Sequence, residues 1–299
     1  MLRRVLRRNL GTYYMILASL YFAVTGAFAK ALGSEMSSVE VVFFRNFIGL
    51  VIVIFAIYKL GVKNREKRPF LLFFRGFIGA IALLAFFYNI ATIGLGEAFT
   101  YSKTSPMFLG LLGAILLKEK LGLFAWIGIF IGFVGIIFII QPTLGFEISH
   151  IMGLMNGFLT ALAYMSVHEL RKSYDTKMII LSFMLCGTFV PVFCMVIAEF
   201  FNTPTYLNFM FAKFILPTPK MWVFIILMGI FGYIFQIYMT KAYAASRHAG
   251  VVAAVGYCDI VFSTIVGVIM GDAFPNLSTI FGISLVIFSG IIVSLKQKK

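Results

Sequence analysis

Charged residues are scarce in this sequence, and the acidic ones are the scarcest. Only 12% of the 299 residues are charged, whereas a soluble domain carries about 25%. Apolar residues make up 61%, against roughly 45–50% in a soluble domain. Because no soluble core needs so much apolar surface, the composition excludes a soluble globular protein and predicts that lipid surrounds much of the chain.

Motifs for several kinds of chemistry are also missing. The sequence has no P-loop for ATP hydrolysis, and no HExxH or clustered carboxylates for metal-assisted hydrolysis. Its cysteines, Cys186, Cys194 and Cys258, lie in apolar runs without a CxxC spacing, so we interpret them as packing residues. We therefore predict no cofactor, no metal site and no enzymatic activity.

Ten apolar runs are long enough for membrane-spanning helices, since a bilayer core about 30 Å thick requires about 20 residues. Barrel strands are excluded, because they are about ten residues long and alternate strictly. The predicted spans are 11–32, 39–58, 70–93, 97–117, 123–141, 151–170, 178–200, 221–242, 249–270 and 277–295. The first run resembles a signal peptide ending at Ala27-Phe28-Ala29, but it exceeds the usual apolar length of about 7–15 residues, so we predict an uncleaved helix.

Lysine and arginine predict the orientation of these spans. Of the 25 basic residues, four lie within spans, Lys213 and Lys220 lie in predicted outer loops, and the other 19 lie in loops assigned to the cytoplasm. Such a bias marks the cytoplasmic side of a membrane protein, so the net charge of +14 does not indicate nucleic-acid binding. We predict a multi-pass inner (cytoplasmic) membrane protein with both termini in the cytoplasm.

Two pairs of similar segments indicate an internal repeat. Residues 17–30 are similar to 159–172, and residues 96–119 are similar to 249–272. Their order predicts two five-helix halves, 1–145 and 146–299. Because each half has an odd number of helices, the second half enters the membrane from the opposite side, which is the inverted repeat typical of secondary transporters.

Several short motifs follow one another between residues 75 and 120. They are Arg75-Gly76, Phe86-Phe87-Tyr88, Glu97-Ala98, Ser105-Pro106 and Leu117-Lys118-Glu119. With the span count and loop lengths, they resemble the EamA-type drug/metabolite transporter superfamily, nearest to the branches that include S-adenosylmethionine and riboflavin uptake. The sequence departs from the family at Asp259, where members often carry a small residue or a proline opposite Pro106.

The resemblance implies a secondary transporter of a small polar organic metabolite that is amino-acid-like, nucleoside-like or S-adenosylmethionine-like. Transport would occur by alternating access, driven by proton coupling or exchange. An efflux carrier for amino acids or drugs is the alternative within this class, and a membrane-embedded enzyme or a channel is the alternative from another class. We expect the metabolite and the lipid bilayer as partners, and small residues in the fifth and tenth spans allow a homodimer.

Charged residues inside a span cost about 2.5–3.5 kcal/mol near its centre and are therefore candidates for function. We interpret Asp259 in the ninth span as a cation or proton site that couples transport, or as a member of a structural ion pair. Lys103 and Arg45 either bind a carboxylate or phosphate of the substrate or neutralise Asp259. A zwitterionic substrate satisfies both interpretations.

The other candidate binding residues are uncharged: Tyr101, Tyr257, Asn89 and Pro106. The tyrosines and the asparagine are predicted to line the cavity, and the proline is predicted to kink the fourth span, because it removes one helical hydrogen bond.

Three further charged residues receive other interpretations. We expect Arg75 and Lys30 to reach the lipid headgroups from within their spans. Glu97 is interpreted either as a cap of the fourth helix or as part of the outer mouth.

Overall fold

Helices make up all the regular structure of the computed structural model, which describes residues 10–62, 68–116, 122–140, 147–171, 173–201, 210–245 and 255–296. No strand occurs within these ranges, so the prediction of an all-α protein is confirmed there. In chain order the helices are α1 Leu10–Gly33, α2 Ser38–Leu60, α3 Pro69–Thr92, α4 Leu95–Ser102, α5 Ser105–Leu116, α6 Leu123–Ile140, α7 Ile148–Leu170, α8 Thr176–Phe200, α9 Pro219–Ala245, α10 Cys258–Ile269 and α11 Leu277–Lys296.

Six of these helices, α1, α2, α3, α7, α8 and α9, are long and apolar enough to cross a membrane. Shorter apolar segments lie within α6, α10 and α11. Large apolar side chains such as Phe55, Phe73 and Phe193 are more than half exposed, and lipid tolerates such a surface whereas water does not. The chain is therefore a multi-pass membrane protein, while the count of ten spans stays a prediction.

Local sequence sets where the helices that carry the central residues begin. Ser37 and Glu40 form a capping box at the start of α2. Pro69 occupies the first turn of α3, where its missing N–H removes no helical hydrogen bond. Asp175 caps α8 by accepting a hydrogen bond from Lys177 N at 2.9 Å. These starts fix the register of α2, α3 and α8.

The predicted fourth span is two helices rather than one. Helix α4 ends at Ser102, and α5 begins at Ser105. Pro106 lies in the first turn of α5, where proline is tolerated, so the break precedes the proline and the proline does not kink a continuous helix. In the ninth span, α10 begins at Cys258 after a turn at Gly256 and Tyr257; residues 249–254 of that predicted span lie outside the described residues.

The closest helix pairs join the predicted first half to the predicted second half. Helix α1 packs mainly on α9, α2 on α8, α3 on α7 and α6 on α11, and α4 contacts α10. If the helices of the two halves correspond in order, exchanging the halves maps the α1–α9 pair onto the α7–α3 pair and each of the other pairs onto itself. A two-fold relation between the halves would produce this arrangement, and the division at residue 145 stays a prediction.

The small residues of α6 and α11 serve packing within the chain. Ser289 donates a hydrogen bond to Gly128 O at 2.6 Å. A Cβ atom added to Gly135 would lie 2.8 Å from Gly282 O, so the two backbones approach too closely for a larger side chain. Assembly into a homodimer stays a prediction.

Candidate functional site

A small polar cavity is lined by residues of α1, α2, α3, α7, α8 and α9 and of the break after α4. Its volume is about 60 Å³, which holds a few water molecules, whereas ligand pockets measure about 300–1,000 Å³. The polar lining comes from both predicted halves: Arg45, Arg75, Ser102, Lys103, Ser105, Asn156, Thr160, Tyr164 and Gln236. The structure thus contains a small cavity, lined by polar groups of both predicted halves, within an apolar bundle.

A second, larger cavity of about 680 Å³ lies between α3 and α8. Its lining is almost wholly apolar and includes Phe73 and Phe193, which belong to the exposed apolar surface. Acyl chains suit such a groove, whereas a polar metabolite does not, so we place the candidate site in the small cavity despite its size.

Two buried arginines stand in the small cavity. Arg45 is 1% exposed and Arg75 is 4% exposed, and their guanidinium carbons lie 5.7 and 4.8 Å from the centre of the Phe183 ring. Arg45 Nη1 donates to Asn46 Oδ1 at 3.1 Å. The Nε and Nη2 atoms of Arg45, and the Nε and Nη1 atoms of Arg75, have no hydrogen-bond partner among the described residues. Buried donors of this kind are costly when unsatisfied, so they require water in the cavity or a bound ligand as partner.

Glycines make the room for these arginines. A Cβ atom added to Gly232 would lie 2.9 Å from Arg45 Nε, and one added to Gly79 would overlap Arg75 Nη1. At Gly76 an added Cβ atom would lie 2.5 Å from Ser182 O, so α3 and α8 approach each other closely there. This close approach sets Arg75 against Phe183.

The central ion pair joins Lys103 Nζ to Asp259 Oδ2. Lys103 follows the last residue of α4, and Asp259 lies in the first turn of α10, so each charge has the sign that its helix end favours. Tyr257 Oη also donates to Lys103 O at 3.1 Å. Neither oxygen of Asp259 accepts another hydrogen bond from the described residues, so Lys103 is the group that compensates this buried carboxylate.

The described cavity lining therefore carries an excess of positive charge. Arg45, Arg75 and Lys103 border the cavity, and no acidic residue does so among the described residues. Asp259 lies behind Lys103 and balances that one cation. Two buried positive charges remain without a described acidic partner.

The sequence-predicted binding residues separate into two groups. Arg45 and Lys103 line the cavity, whereas Asp259, Tyr101, Tyr257, Asn89 and Pro106 are absent from its described lining. The Tyr101 side chain is only 1% exposed and faces Gly153 of α7 so closely that a Cβ atom there would lie 2.4 Å from the ring. Asn89 is likewise 1% exposed.

The interpretation of Arg75 as a residue that reaches the headgroups is wrong. Its side chain points into the protein and lines the cavity, because α3 packs on α7 and α8 at this level. Asn156 and Gln236 also line the cavity and were not predicted from the sequence, although an amide inside an apolar run is a signal that could have found them.

A second ion pair lies at the end of the bundle where α4 begins. Lys30 of α1 pairs with Asp272, which follows α10, and Asp272 Oδ2 also accepts a hydrogen bond from Leu95 N at 3.1 Å. Asp272 therefore satisfies one of the backbone donors at the start of α4. Glu97 lies in the first turn of the same helix. Lys30 joins α1 to the second half there instead of only contacting lipid.

Known proteins resemble this chain over most of its length. The profile of the EamA-like transporter family matches residues 9–141. An uncharacterized transporter of Helicobacter pylori strain J99 is 33% identical over 95% of this chain and 94% of its own length. The pseudopaline exporter of Pseudomonas aeruginosa is 26% identical over 96% of this chain and 97% of its own. The S-adenosylmethionine uptake transporter of Rickettsia prowazekii is 21% identical over 97% and 94%.

A solved crystal structure supports the same fold. It is 18% identical in sequence, covers 98% of this chain and 100% of its own, and superposes with a TM-score of 0.62. The relative that is 33% identical aligns along almost the whole chain, well beyond the profile match to residues 9–141. The resemblance found in the sequence is confirmed: this chain belongs to the EamA-like transporter family.

Proposed function

We propose that this protein is a secondary transporter that moves a small polar organic metabolite across the inner membrane by alternating access. The main support is the buried cavity, which residues of both predicted halves line. Its two arginines have hydrogen-bond donors without a partner among the described residues. Transporters with inverted repeats bind their substrates near the midplane, at the interface of the repeats. Amino-acid-like, nucleoside-like and S-adenosylmethionine-like compounds are the candidate classes.

The helix breaks provide the moving parts of the proposed mechanism. The break between α4 and α5 and the turn before α10 meet through Lys103, Asp259 and Tyr257. Discontinuous helices of this kind surround the binding site in several transporter folds. Because about 60 Å³ is too small for a metabolite, rocking of the halves about these breaks must enlarge the cavity toward one side at a time.

The predicted orientation supplies the sides of the membrane. The bias of basic residues supports cytoplasmic termini, which puts the Lys30–Asp272 pair on the outer side. Named relatives include an exporter and an uptake transporter, and alternating access serves both directions. Efflux is therefore the second candidate, favoured by the exporter at 26% identity.

Asp259 is the proposed coupling residue. Its side chain is buried, and among the described residues its one compensating charge is Lys103, which also borders the cavity. A proton on Asp259 would cancel the attraction and let Lys103 turn toward the substrate. In the proposed proton-coupled mechanism, Asp259 is protonated and releases Lys103. An exchange mechanism requires only that the substrate-bound carrier opens to the other side of the membrane.

Counterflow into proteoliposomes that hold the purified full-length chain tests the proposal. Liposomes loaded with an unlabelled candidate accumulate the labelled compound transiently only when a carrier exchanges the two. We expect accumulation with the wild type and with the control variant Arg68→Met, because the Arg68 side chain is 49% exposed. Arg75→Met should accumulate at least about tenfold less labelled compound, since losing a charged hydrogen bond costs about 1.5–3 kcal/mol. A chemically altered product would indicate an enzyme, and flux without saturation a channel; either result contradicts the proposal.

A further inference from the structure

We infer that the substrate carries at least two acidic groups, one held by Arg45 and the other by Arg75, the two arginines that lie beside the Phe183 ring. The inference rests on the proposed transport function and names the substrate class of the same cavity. It follows from the charge balance of the cavity, from its geometry and from the donors left unused.

The charge balance requires a negative ligand. Among the described acidic residues with a buried side chain, Asp259 is engaged by Lys103, and Glu40 accepts from Ser37 N at 2.9 Å and from Ile215 N at 2.6 Å. None of the described residues that line the cavity is acidic. The counter-charge for the two arginines must therefore come from outside the described protein groups, and a bound substrate is the group that the cavity is placed to admit.

The geometry allows the two arginines to bind two acidic groups of one substrate at the same time. Both guanidinium groups lie beside the same ring, so their central carbons are at most about 10.5 Å apart. A guanidinium fork binds a carboxylate or a phosphate through two parallel hydrogen bonds, and each arginine retains two free nitrogens for such a contact. A diacid whose acidic groups are separated by a short carbon chain satisfies both forks at once.

The rest of the lining suits a polar link between the acidic groups. Asn156 Nδ2 donates to Ala82 O at 2.7 Å, and this bond fixes the orientation of the amide. Asn156 Oδ1 has no partner among the described residues and thus offers an acceptor to a hydroxyl or amine of the substrate. Phe22 and Phe235 stack with their centres 4.2 Å apart and form an apolar wall for the carbon chain.

The same balance disfavours a cationic substrate. Asp259, the acid that a substrate amine or sulfonium would meet in the zwitterion hypothesis, is absent from the described lining and faces Lys103. A cation would enter a cavity that already holds two positive charges without an acidic partner among the described residues. A diacid therefore binds better than a zwitterion of the same size.

Ligand-dependent thermal unfolding of the purified full-length chain in detergent tests the inference. The probes are the unbranched diacids from succinate to suberate and L-glutamate, with the monoamide and diamide of each unbranched diacid as matched controls and S-adenosylmethionine as the cation. We expect at least one diacid to stabilise the protein saturably, with an apparent Kd at least tenfold below that of the matched monoamide. Arg45→Met and Arg75→Met should each abolish this preference, whereas Arg68→Met should retain it.

Arg45→Lys and Arg75→Lys guard against a variant that fails to fold. They retain the charge but lose the fork, so we expect weakened diacid binding in a folded protein. No stabilisation by any diacid, equal binding of diacid and diamide, or preference for the cation would overturn the inference. Counterflow separates this failure from failure of the proposed function. Flux of a cationic compound that diacids do not inhibit would support the transport function and contradict the diacid inference. Diacid binding without flux would contradict the transport function and support the diacid site.

Discussion

Two lysine–aspartate pairs join the predicted halves, and their surroundings differ. The central pair, Lys103–Asp259, has side chains that are 13% and 1% exposed, whereas the end pair, Lys30–Asp272, has side chains that are 21% and 22% exposed. A buried charge that loses its partner is strongly destabilising, and a partly hydrated one is far less so. The central pair should therefore separate only when a proton or a substrate group replaces one partner, while the end pair can open with water alone.

Among the substitutions at these charged residues, Asp259→Asn should have the largest effect on stability and transport. Lys103 would then be buried without its counter-charge, and breaking a buried pair from one side costs about 3–5 kcal/mol. We expect a clear loss of stability in thermal unfolding and the loss of counterflow. An Asp259→Asn protein as stable as the wild type would show that the pair does not compensate these charges.

A double variant, Lys103→Met with Asp259→Leu, is the matched control. It removes both charges together, and replacing a buried pair by apolar groups is often neutral or stabilising. Stability should return while transport stays lost, because Lys103 also borders the cavity. Recovery of transport in this variant would contradict the coupling role of Asp259.

The two arginines should respond in the opposite way, because they are buried charges without a described acidic partner. Unsatisfied buried donors cost about 1–3 kcal/mol, and a contact with an aromatic ring returns about 0.5–2 kcal/mol. Arg45→Met and Arg75→Met should therefore leave the stability of the ligand-free protein unchanged or raise it, while removing diacid binding. Thermal unfolding without ligand measures this, and a large destabilisation would mean that the arginines are structural.

The contrast between these charges could be read only in part from the sequence. Arg45 and Lys103 interrupt long apolar runs, so their cost in a membrane identified them as candidates. Arg75 lies near the start of its span, and the sequence could not show that Gly76 and Gly79 bring α3 against α8 and direct the arginine inward. That direction depends on tertiary packing.

The helix breaks show the same limit. Residues 97–117 form one apolar run, so counting spans merges α4 and α5, although Pro106 indicated an irregularity close to the break at Lys103 and Thr104. Hydropathy measures the length of a run and does not detect the break, at which Tyr257 Oη donates a hydrogen bond to Lys103 O.

Substitutions in the end pair should have a smaller effect on stability. Two substitutions of Asp272 separate the contribution of its charge from that of its hydrogen bond to Leu95 N. Asp272→Asn keeps an acceptor for Leu95 N but removes the charge, which is worth about 0–1 kcal/mol in a partly exposed pair. Asp272→Ala also removes the cap, at a further cost of about 0.5–2 kcal/mol. Amide hydrogen exchange over residues 95–102 should rise slightly in the first variant and more in the second.

The control for the end pair is a pair on the exposed surface. Lys213 and Glu199 lie 3.8 Å apart with side chains 65% and 60% exposed, so Lys213→Met should change neither exchange nor transport. If Asp272→Ala changes hydrogen exchange and transport as little as Lys213→Met does, the end pair is only a surface contact. The proposed contrast between an end pair that opens with water and a central pair that does not would then be wrong.

Replacing Tyr257 by phenylalanine should have the smallest effect. The ring stays packed against Gly290, where an added Cβ atom would overlap the hydroxyl, and the hydrogen bond to Lys103 O is lost. A single hydrogen bond of this kind contributes about 0.5–1.5 kcal/mol. The informative measurement is a double-mutant cycle with Asp259→Asn, because both residues hold Lys103 at the junction of the two helix breaks. Groups that act on one shared partner give non-additive effects, so strictly additive losses would mean that the tyrosine and the aspartate position Lys103 independently.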